Sequence, residues 1–215
     1  MEKAVFELGQ RTGKPSVRGA AGAAGGGARG RSRSRGLGSN CAVFLVRSGI
    51  RRLVMADPDV VFLSNLNRQH FFPRHLGLPK VEALGQVLPE LNPALDLTLV
   101  PQALDADSAC ALFAGCDVVV EAVDDPAIKK TLVEALLRQG HSVVSVLGMA
   151  GWGGPPMTAR RVGTRLTVVG DFITEIGPGC PPMAPRVVMA AALEADAVLS
   201  LLLGTGPAVE EGPAR

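Results

Sequence analysis

From residue 37 onward, the chain alternates short apolar runs, rich in β-branched residues, with longer segments whose apolar residues recur at helical spacing. This alternation is typical of β-α-β units, which build a parallel sheet covered by helices on both faces. We predict strands at 52–56, 95–100, 117–122 and 142–147, and helices at 39–48, 79–91, 105–114, 126–139 and 186–203. The fold class that follows is α/β, with a Rossmann-like, doubly wound and mostly parallel sheet.

After Gly148 the pattern changes. Two short runs, 157–162 and 165–169, flank a Gly-Thr pair and are typical of an antiparallel hairpin. The segment 170–185 contains four prolines and predicts a loop before the last helix. We therefore expect the sheet to end in an antiparallel C-terminal hairpin.

The N-terminal part of the chain has a different composition. The ten residues before Gly36 are Gly, Ala, Arg and Ser only, so no first strand can be predicted from β-branched or large apolar residues there. Such a tract buries too little apolar surface to offset its ordering entropy. We expect a flexible Gly/Ala/Arg-rich segment at 1–35, a folded domain at 36–204 and a C-terminal tail at 205–215.

Charge and cysteine usage exclude several classes of protein. Residues 1–40 carry 8 basic and 2 acidic residues, whereas 41–215 carry 14 basic and 18 acidic residues. The larger part therefore lacks an overall positive field, and we expect no nucleic-acid partner. The four cysteines form no C-x-x-C pair, so we expect no structural zinc. With no secretory signal and no uncharged apolar run of about 20 residues, we expect a cytoplasmic protein without membrane contact.

Candidate binding residues follow the predicted strands, where ligands bind in doubly wound sheets. Gly36 and Gly38 form a glycine turn that opens a helix, a place where backbone N–H groups can approach a phosphate, although many ordinary turns share the pattern. Asp57 comes 21 residues after Gly36 and directly follows a strand. A carboxylate at this spacing suits ribose hydroxyls, and the alternative is an Asp that caps a turn.

Two cations and one further carboxylate complete the candidates. Arg68 lies in a polar loop and Lys80 near the start of a helix, so both could contact phosphates, or the loop could be merely solvated. His70 and His75 lie in the same loop, where we expect them to be solvated. Asp124 follows the strand 117–122 and could hold Mg²⁺, which prefers one or two carboxylates plus phosphate oxygens.

Five runs in the sequence resemble the ThiF/MoeB/HesA superfamily, the relatives of ubiquitin-activating enzymes, and most of all its small ThiF sulfur-carrier adenylyltransferases. The runs are A-D-P-D-V-V-F-L-S-N-L-N-R-Q at 56–69, G-L-P-K-V-E-A-L at 77–84, L-N-P at 91–93, D-V-V-V-E-A-V-D-D at 117–125 and G-M-A-G-W-G at 148–153. The resemblance implies that 36–204 is a ThiF-type nucleotide-binding domain.

The resemblance also implies an activity, its cofactors and its partners. The protein would be an ATP- and Mg²⁺-dependent nucleotidyltransferase that adenylates the C-terminal glycine of a small ubiquitin-like sulfur carrier ending in Gly-Gly, in thiamine thiazole biosynthesis. It would act as a homodimer. The implied site residues are Gly36 and Gly38 in the nucleotide loop, Asp57 on the ribose, Asn67, Arg68 and Lys80 on the phosphates, Asn65 and Gln69 shaping the loop, and Asp124 on Mg²⁺.

Two departures from the family pattern leave alternatives open. The glycine loop is incomplete, which allows a catalytically impaired module that binds a carrier without activating it. Cys180 lies in the late loop where some relatives carry a sulfur-transfer cysteine, and an inert loop cysteine is the alternative. A molybdopterin-type carrier, the tRNA threonylcarbamoyladenosine dehydratase reaction and a NAD-dependent dehydrogenase are the remaining possibilities.

Overall fold

The computed structural model describes residues 18–22 and 37–204, which form a seven-stranded sheet flanked by helices. The strands are β1 (Arg18–Gly22), β2 (Arg52–Ala56), β3 (Asp96–Val100), β4 (Val118–Glu121), β5 (Ser142–Val146), β6 (Thr158–Val162) and β7 (Leu166–Gly170). The helices are α1 (Leu37–Arg47), α2 (Lys80–Leu91), α3 (Ala106–Phe113), α4 (Pro126–Arg138) and α5 (Ala184–Leu203).

The strands follow the order β3-β2-β1-β4-β5-β7-β6. Every neighbouring pair is parallel except β6 and β7, which form an antiparallel hairpin. The chain runs outward from β1 to β3 and then returns to add β4 on the other side of β1. This arrangement confirms the predicted doubly wound sheet, and it places the reversal point, where ligands bind in such folds, between β1 and β4.

The interior strand β1 is the main difference from the sequence prediction. It pairs with β2 on one side and β4 on the other, with Ala20 opposite both Val54 and Val119. The expectation of a flexible segment is therefore wrong for Arg18–Gly22. Its sequence, Arg-Gly-Ala-Ala-Gly, has no residue that favours strands, so the backbone ladders to two neighbours define this strand rather than its own propensity. The rest of the expected N-terminal segment 1–35, Gly36 and the expected C-terminal tail 205–215 lie outside the described residues.

Apolar side chains from the strands are buried on both faces of the sheet. Val118 and Val120 pack in a cluster with α1 and α5, whereas Val119, between them, packs in a cluster with α3 and α4. Successive side chains of a strand point to opposite faces, so a run of β-branched residues suits a strand covered on both sides. This burial explains why the run D-V-V-V-E-A predicts a strand.

Two local differences bear on the site. Helix α1 begins at Leu37, so Ser39 and Asn40 lie in its first turn instead of capping it. In the loop between β2 and α2, His75 is 0% exposed and packs edge-to-face against the rings of Phe71 and Phe72. The expectation of a solvated His75 is wrong, because the sequence does not show that the loop folds over its own aromatic residues. Within residues 18–22 and 37–204, no helix has both the length and the apolar character needed to cross a membrane.

Candidate functional site

Asp57 occupies the first position after β2, at the edge of the sheet where the parallel strands end. Its Oδ1 atom accepts a hydrogen bond of 2.9 Å from the backbone N–H of Asp59. Burial raises the pKa of Asp57 to about 7; Lys80 and the Asp59 N–H oppose this rise, whereas the carboxylates of Asp59 and Asp124 add to it. Asp57 is therefore a half-buried acid with more negative than positive charge around it, a setting that favours donors from a ligand.

Lys80 is the first residue of α2 and is only 3% exposed. Its Nζ lies 2.7 Å from Oδ2 of Asp59, and its backbone N–H donates to the carbonyl of Asp59 at 2.8 Å. A bridge between Val60 and Pro79 holds the two segments side by side. The ammonium is thus fixed at the edge of the sheet close enough to Asp57 to lower the pKa of that acid.

Arg68 lies in the loop between β2 and α2, half-buried. Its Nη1 donates to the carbonyl of Ser64 and to Oδ1 of Asn67, both at 2.7 Å. Burial lowers the pKa of Arg68, and the charge of Asp124 opposes that change. The guanidinium and the Asp124 carboxylate, which is three residues past β4, therefore lie within electrostatic range of each other across the reversal point of the sheet.

The loop that carries Arg68 is held by buried polar groups. Oδ1 of the buried Asn65 accepts the N–H of Phe62 at 2.9 Å, and its carbonyl accepts the N–H groups of Arg68 and Gln69. Gln69 is buried as well, and Asn67 is exposed beside Arg68. These contacts give the S-N-L-N-R-Q run a defined backbone path, which aims the Arg68 side chain.

The first turn of α1 anchors this loop from the other side. Nδ2 of Asn40 donates to the carbonyl of Arg68 at 2.8 Å, and Oγ of Ser39 accepts the N–H of His70 at 3.1 Å. Gly38 is the second residue of α1, whereas its partner in the predicted glycine turn, Gly36, is outside the described part of the chain. The start of α1 is thus tied to the loop that bears the candidate phosphate ligands.

The structure therefore brings four of the residues predicted from the sequence into one electrostatic cluster: Asp57, Arg68, Lys80 and Asp124. Sequence reasoning missed Asp59, which contacts both Asp57 and Lys80. The available signal was the D-x-D pattern at 57–59, which places a second carboxylate two residues after the first.

A buried network behind Asp124 was also missed. Glu121, at the end of β4, is 3% exposed and pairs with Lys129 of α4. The hydroxyl of Ser145, on β5, donates to Oε2 of Glu121 at 2.7 Å, and Oε1 accepts the N–H of Val123. Because Glu121 accepts the N–H of Val123, the residue immediately before Asp124, this network fixes the backbone that leads into Asp124.

Cys180 belongs to another part of the edge. It is half-buried in the loop between β7 and α5, and the N–H of Gly151 donates to the carbonyl of Pro181 at 2.9 Å. Gly151 has a φ of 70°, and a Cβ there would lie 2.7 Å from Sγ of Cys180. The thiol therefore packs against the segment that follows β5, a contact that only a glycine permits.

The carboxylates at this edge of the sheet could hold the metal ion that accompanies a nucleotide. No group of three or more His, Cys, Asp or Glu suited to a metal ion occurs among residues 18–22 and 37–204. Mg²⁺ that accompanies a nucleotide needs only one or two carboxylates, because phosphate oxygens and water supply the other ligands. The excess acid around Asp57 and Asp124, beside two cations, fits such a shared site and not an all-protein cage.

Comparisons with known proteins place the chain in a family. The family model described as the ThiF family matches residues 35–212. The sulfur carrier protein ThiS adenylyltransferase of Escherichia coli (strain K12) is 33% identical over 123 residues, which are 57% of this chain and 49% of that protein. The adenylyltransferase and sulfurtransferase UBA4 of Candida glabrata is 33% identical over 115 residues, 53% of this chain and 27% of that protein. The chain thus spans half or less of these curated relatives.

Solved structures show the same fold at low identity. Escherichia coli tRNA N6-threonylcarbamoyladenosine dehydratase, TcdA, in complex with ATP, superposes with a TM-score of 0.75 at 18% identity over 88% of this chain and 87% of that one. HcgE of Methanothermobacter marburgensis, bound to guanylylpyridinol and ATP, gives a TM-score of 0.65 at 17% identity over 87% and 95%. Since the family model matches most of the chain, including the cluster at Asp57, Arg68, Lys80 and Asp124, this protein belongs to the ThiF family.

Proposed function

We propose that this protein is an ATP-dependent adenylyltransferase that activates the C-terminal glycine of a small ubiquitin-like sulfur-carrier protein. The observation that carries the proposal is the convergence of two cations, Arg68 and Lys80, with two acids, Asp57 and Asp124, at the reversal point of the sheet. Opposite charges gathered where strands end suit a nucleotide, whose ribose needs acceptors and whose phosphates need donors.

Each side chain has a role in holding ATP. Asp57 accepts hydrogen bonds from the ribose hydroxyls, while Arg68 and Lys80, with the amide of Asn67, donate to phosphate oxygens. Asp124 is the carboxylate for Mg²⁺. Asn65 and Gln69 keep the loop in shape, and the start of α1 at Gly38 offers N–H groups near the phosphates.

The reaction needs no protein nucleophile. An oxygen of the carrier's terminal carboxylate forms a bond to the α-phosphorus, the bond from that phosphorus to the bridging oxygen breaks, and pyrophosphate leaves with the electron pair. No net proton transfer is required. The protein contributes alignment of the two reactants and donors for the charge that grows on the leaving phosphates, which are the main sources of rate in such transfers.

The relatives support a sulfur carrier as the substrate, since ThiS appears in the name of one and sulfurtransferase in that of another. Within that class we propose a ThiS-like carrier of thiamine thiazole biosynthesis, with a homodimer in the cytoplasm as the working form. We also propose that Cys180 takes part in sulfur transfer after adenylation. It lies in a loop that packs against the segment following β5.

The test is carrier-dependent exchange of labelled pyrophosphate into ATP. The full chain is incubated with ATP, Mg²⁺ and a ThiS-like protein, and in parallel with the same carrier lacking its terminal Gly-Gly. Exchange only with the intact carrier supports the proposal. Carrier binding without exchange would identify a catalytically impaired binding module instead. Exchange with a molybdopterin-type carrier, and none with the ThiS-like protein, would identify the molybdopterin-type carrier as the substrate.

A further inference from the structure

Asp59 contacts two residues of the proposed nucleotide site at once. Its backbone N–H donates to Oδ1 of Asp57 at 2.9 Å, its carbonyl accepts the N–H of Lys80 at 2.8 Å, and its Oδ2 lies 2.7 Å from Nζ of Lys80. Three separate groups of one residue thus connect the acid that follows β2 with the cation that begins α2.

The ion pair between Asp59 and Lys80 is asymmetric in exposure. The Lys80 side chain is 4% exposed and that of Asp59 is 22% exposed. A buried ammonium without a carboxylate partner is strongly unfavourable, so the ion pair with Asp59 offsets the cost of burying the Lys80 side chain. An ammonium has three N–H donors, so Lys80 can keep Asp59 and still donate to a phosphate oxygen.

We propose that Asp59 is a positioning residue of this site, which sets the distance between the ribose acceptor Asp57 and the phosphate donor Lys80. The inference rests on the proposed function, because it assigns Asp59 to the same nucleotide. Asp59 acts through its two neighbours: its N–H orients the Asp57 carboxylate so that the other oxygen can accept from a ligand, and its carboxylate holds the ammonium at the start of α2.

The charge of Asp59 has a second consequence. Among the described residues, the charged groups that act on Asp57 are Lys80, Asp59 and Asp124, and of these Asp59 and Asp124 raise the pKa of Asp57. Removal of the charge on Asp59 therefore lowers the pKa of Asp57 and widens the pH range in which it is a carboxylate with full acceptor capacity. A residue that supported the fold only through uncharged contacts would leave this titration unchanged.

The variant Asp59→Asn tests the inference, because it keeps the backbone contacts and the side-chain size and removes only the charge. ATP affinity of the full chain is measured by calorimetry between about pH 5.5 and 8.5. We expect ATP binding at about pH 8 to weaken by about tenfold or more. We also expect the pH midpoint of the acidic limb to move downward.

Three variants serve as controls. Asp96→Asn removes a carboxylate that is 73% exposed on β3 and should match the wild type in both affinity and midpoint. Asp59→Glu retains the charge and should keep the wild-type midpoint even if affinity falls. In a Lys80→Met background, Asp59→Asn should change affinity far less than in the wild type, because its main partner is gone.

The outcomes separate this inference from the function on which it rests. A wild-type chain that binds no ATP at any pH overturns the proposed function, and this inference with it. A wild type that binds ATP, with an Asp59→Asn variant of equal affinity and equal midpoint, overturns only the role of Asp59. A third outcome also overturns it: Asp59→Asn weakens ATP binding without moving the pH midpoint, and weakens it equally in the Lys80→Met background. In that case Asp59 only supports the fold.

Discussion

Two aspartates follow parallel strands at the same edge of the sheet, Asp57 after β2 and Asp171 after β7, and they have opposite properties. Burial raises the pKa of Asp57 to about 7. Burial would also raise the pKa of Asp171, but hydrogen bonds from Thr174, from the N–H of Ile173 and from Arg186 outweigh it and lower that pKa to about 2.

The difference lies in how many donors the protein itself supplies. Asp171 receives the N–H groups of Ile173 and Thr174, the hydroxyl of Thr174 and the buried guanidinium of Arg186. Among the described residues, Asp57 accepts one hydrogen bond, at 2.9 Å from the N–H of Asp59. A carboxylate whose donors come from its own chain supports the fold, whereas one left with acceptor capacity near a buried lysine is suited to a ligand.

The contrast predicts that the Asp171 pair matters most for stability. Asp171→Ala leaves the guanidinium of Arg186 buried without its carboxylate, so the free energy of unfolding should fall by about 3 to 5 kcal/mol. Urea denaturation followed by circular dichroism measures this loss. A fall of less than about 1 kcal/mol would contradict the assignment of Asp171 to the stability of the fold.

Arg68 should behave in the opposite way to Arg186. Arg68→Ala removes a donor for phosphate charge, so carrier-dependent pyrophosphate exchange should fall by about 10²- to 10³-fold, while the free energy of unfolding changes by less than about 1 kcal/mol. Arg74→Ala is the matched control, since Arg74 is exposed in the same loop and packs over Phe72. Undiminished exchange in Arg68→Ala contradicts the assignment of this arginine to phosphate.

The contribution of the Asp171 carboxylate to stability should depend on pH in the acid range. Because the pKa of Asp171 is about 2 in the folded chain and 3.8 in its ordinary state, its contribution is present above about pH 4 and is lost as the pH falls toward 2. The loss is about 2 kcal/mol. Wild type and Asp171→Asn, compared by urea denaturation across this range, should differ at neutral pH and converge in acid.

The smallest effect is expected at Asp57, with the opposite sign. Its pKa is raised from 3.8 to about 7, so the folded chain binds this proton more tightly, and the resulting stabilisation is present below about pH 4 and lost as the pH rises through 7. Asp57→Asn should therefore match the wild type near pH 3 and exceed it near pH 8 by about 1 to 2 kcal/mol, less than the whole pKa shift would give, because the partly exposed carboxylate is screened by solvent. Thermal melts at both pH values check this, and greater stability at acid pH only would contradict it.

Much of the fold could be predicted because several local signals agree. The β-branched run that became β4 and the Asp125-Pro126 pair that begins α4 carry their structure in their own residues: Oδ1 of Asp125 accepts the N–H groups of Ala127 and Ile128. The strand β1 carries no such signal. Its five small and basic residues are a strand because β2 and β4 supply ladders on both sides.

The residues of the candidate site could be predicted from the sequence, but the contacts between them could not. Asp57, Arg68, Lys80 and Asp124 stand in motifs of fixed spacing, and their roles toward a nucleotide stay predictions. The contacts of Asp59 and of Asn40 with this group join segments 21 and 28 residues apart, which no local pattern encodes. His75 was misjudged for the same reason, since its burial depends on how the loop folds back.

The amino-acid sequence alone determined the α/β class, most helix and strand positions and the family-like motifs, because each depends on neighbours within a turn or a strand. Only the tertiary structure decided which carboxylate is satisfied and which is left for a ligand, since that depends on donors brought from distant segments. Asp57 and Asp171 both appear in the sequence as an acid just after a strand. Their opposite pKa shifts follow from the number of donors that the folded chain places around each.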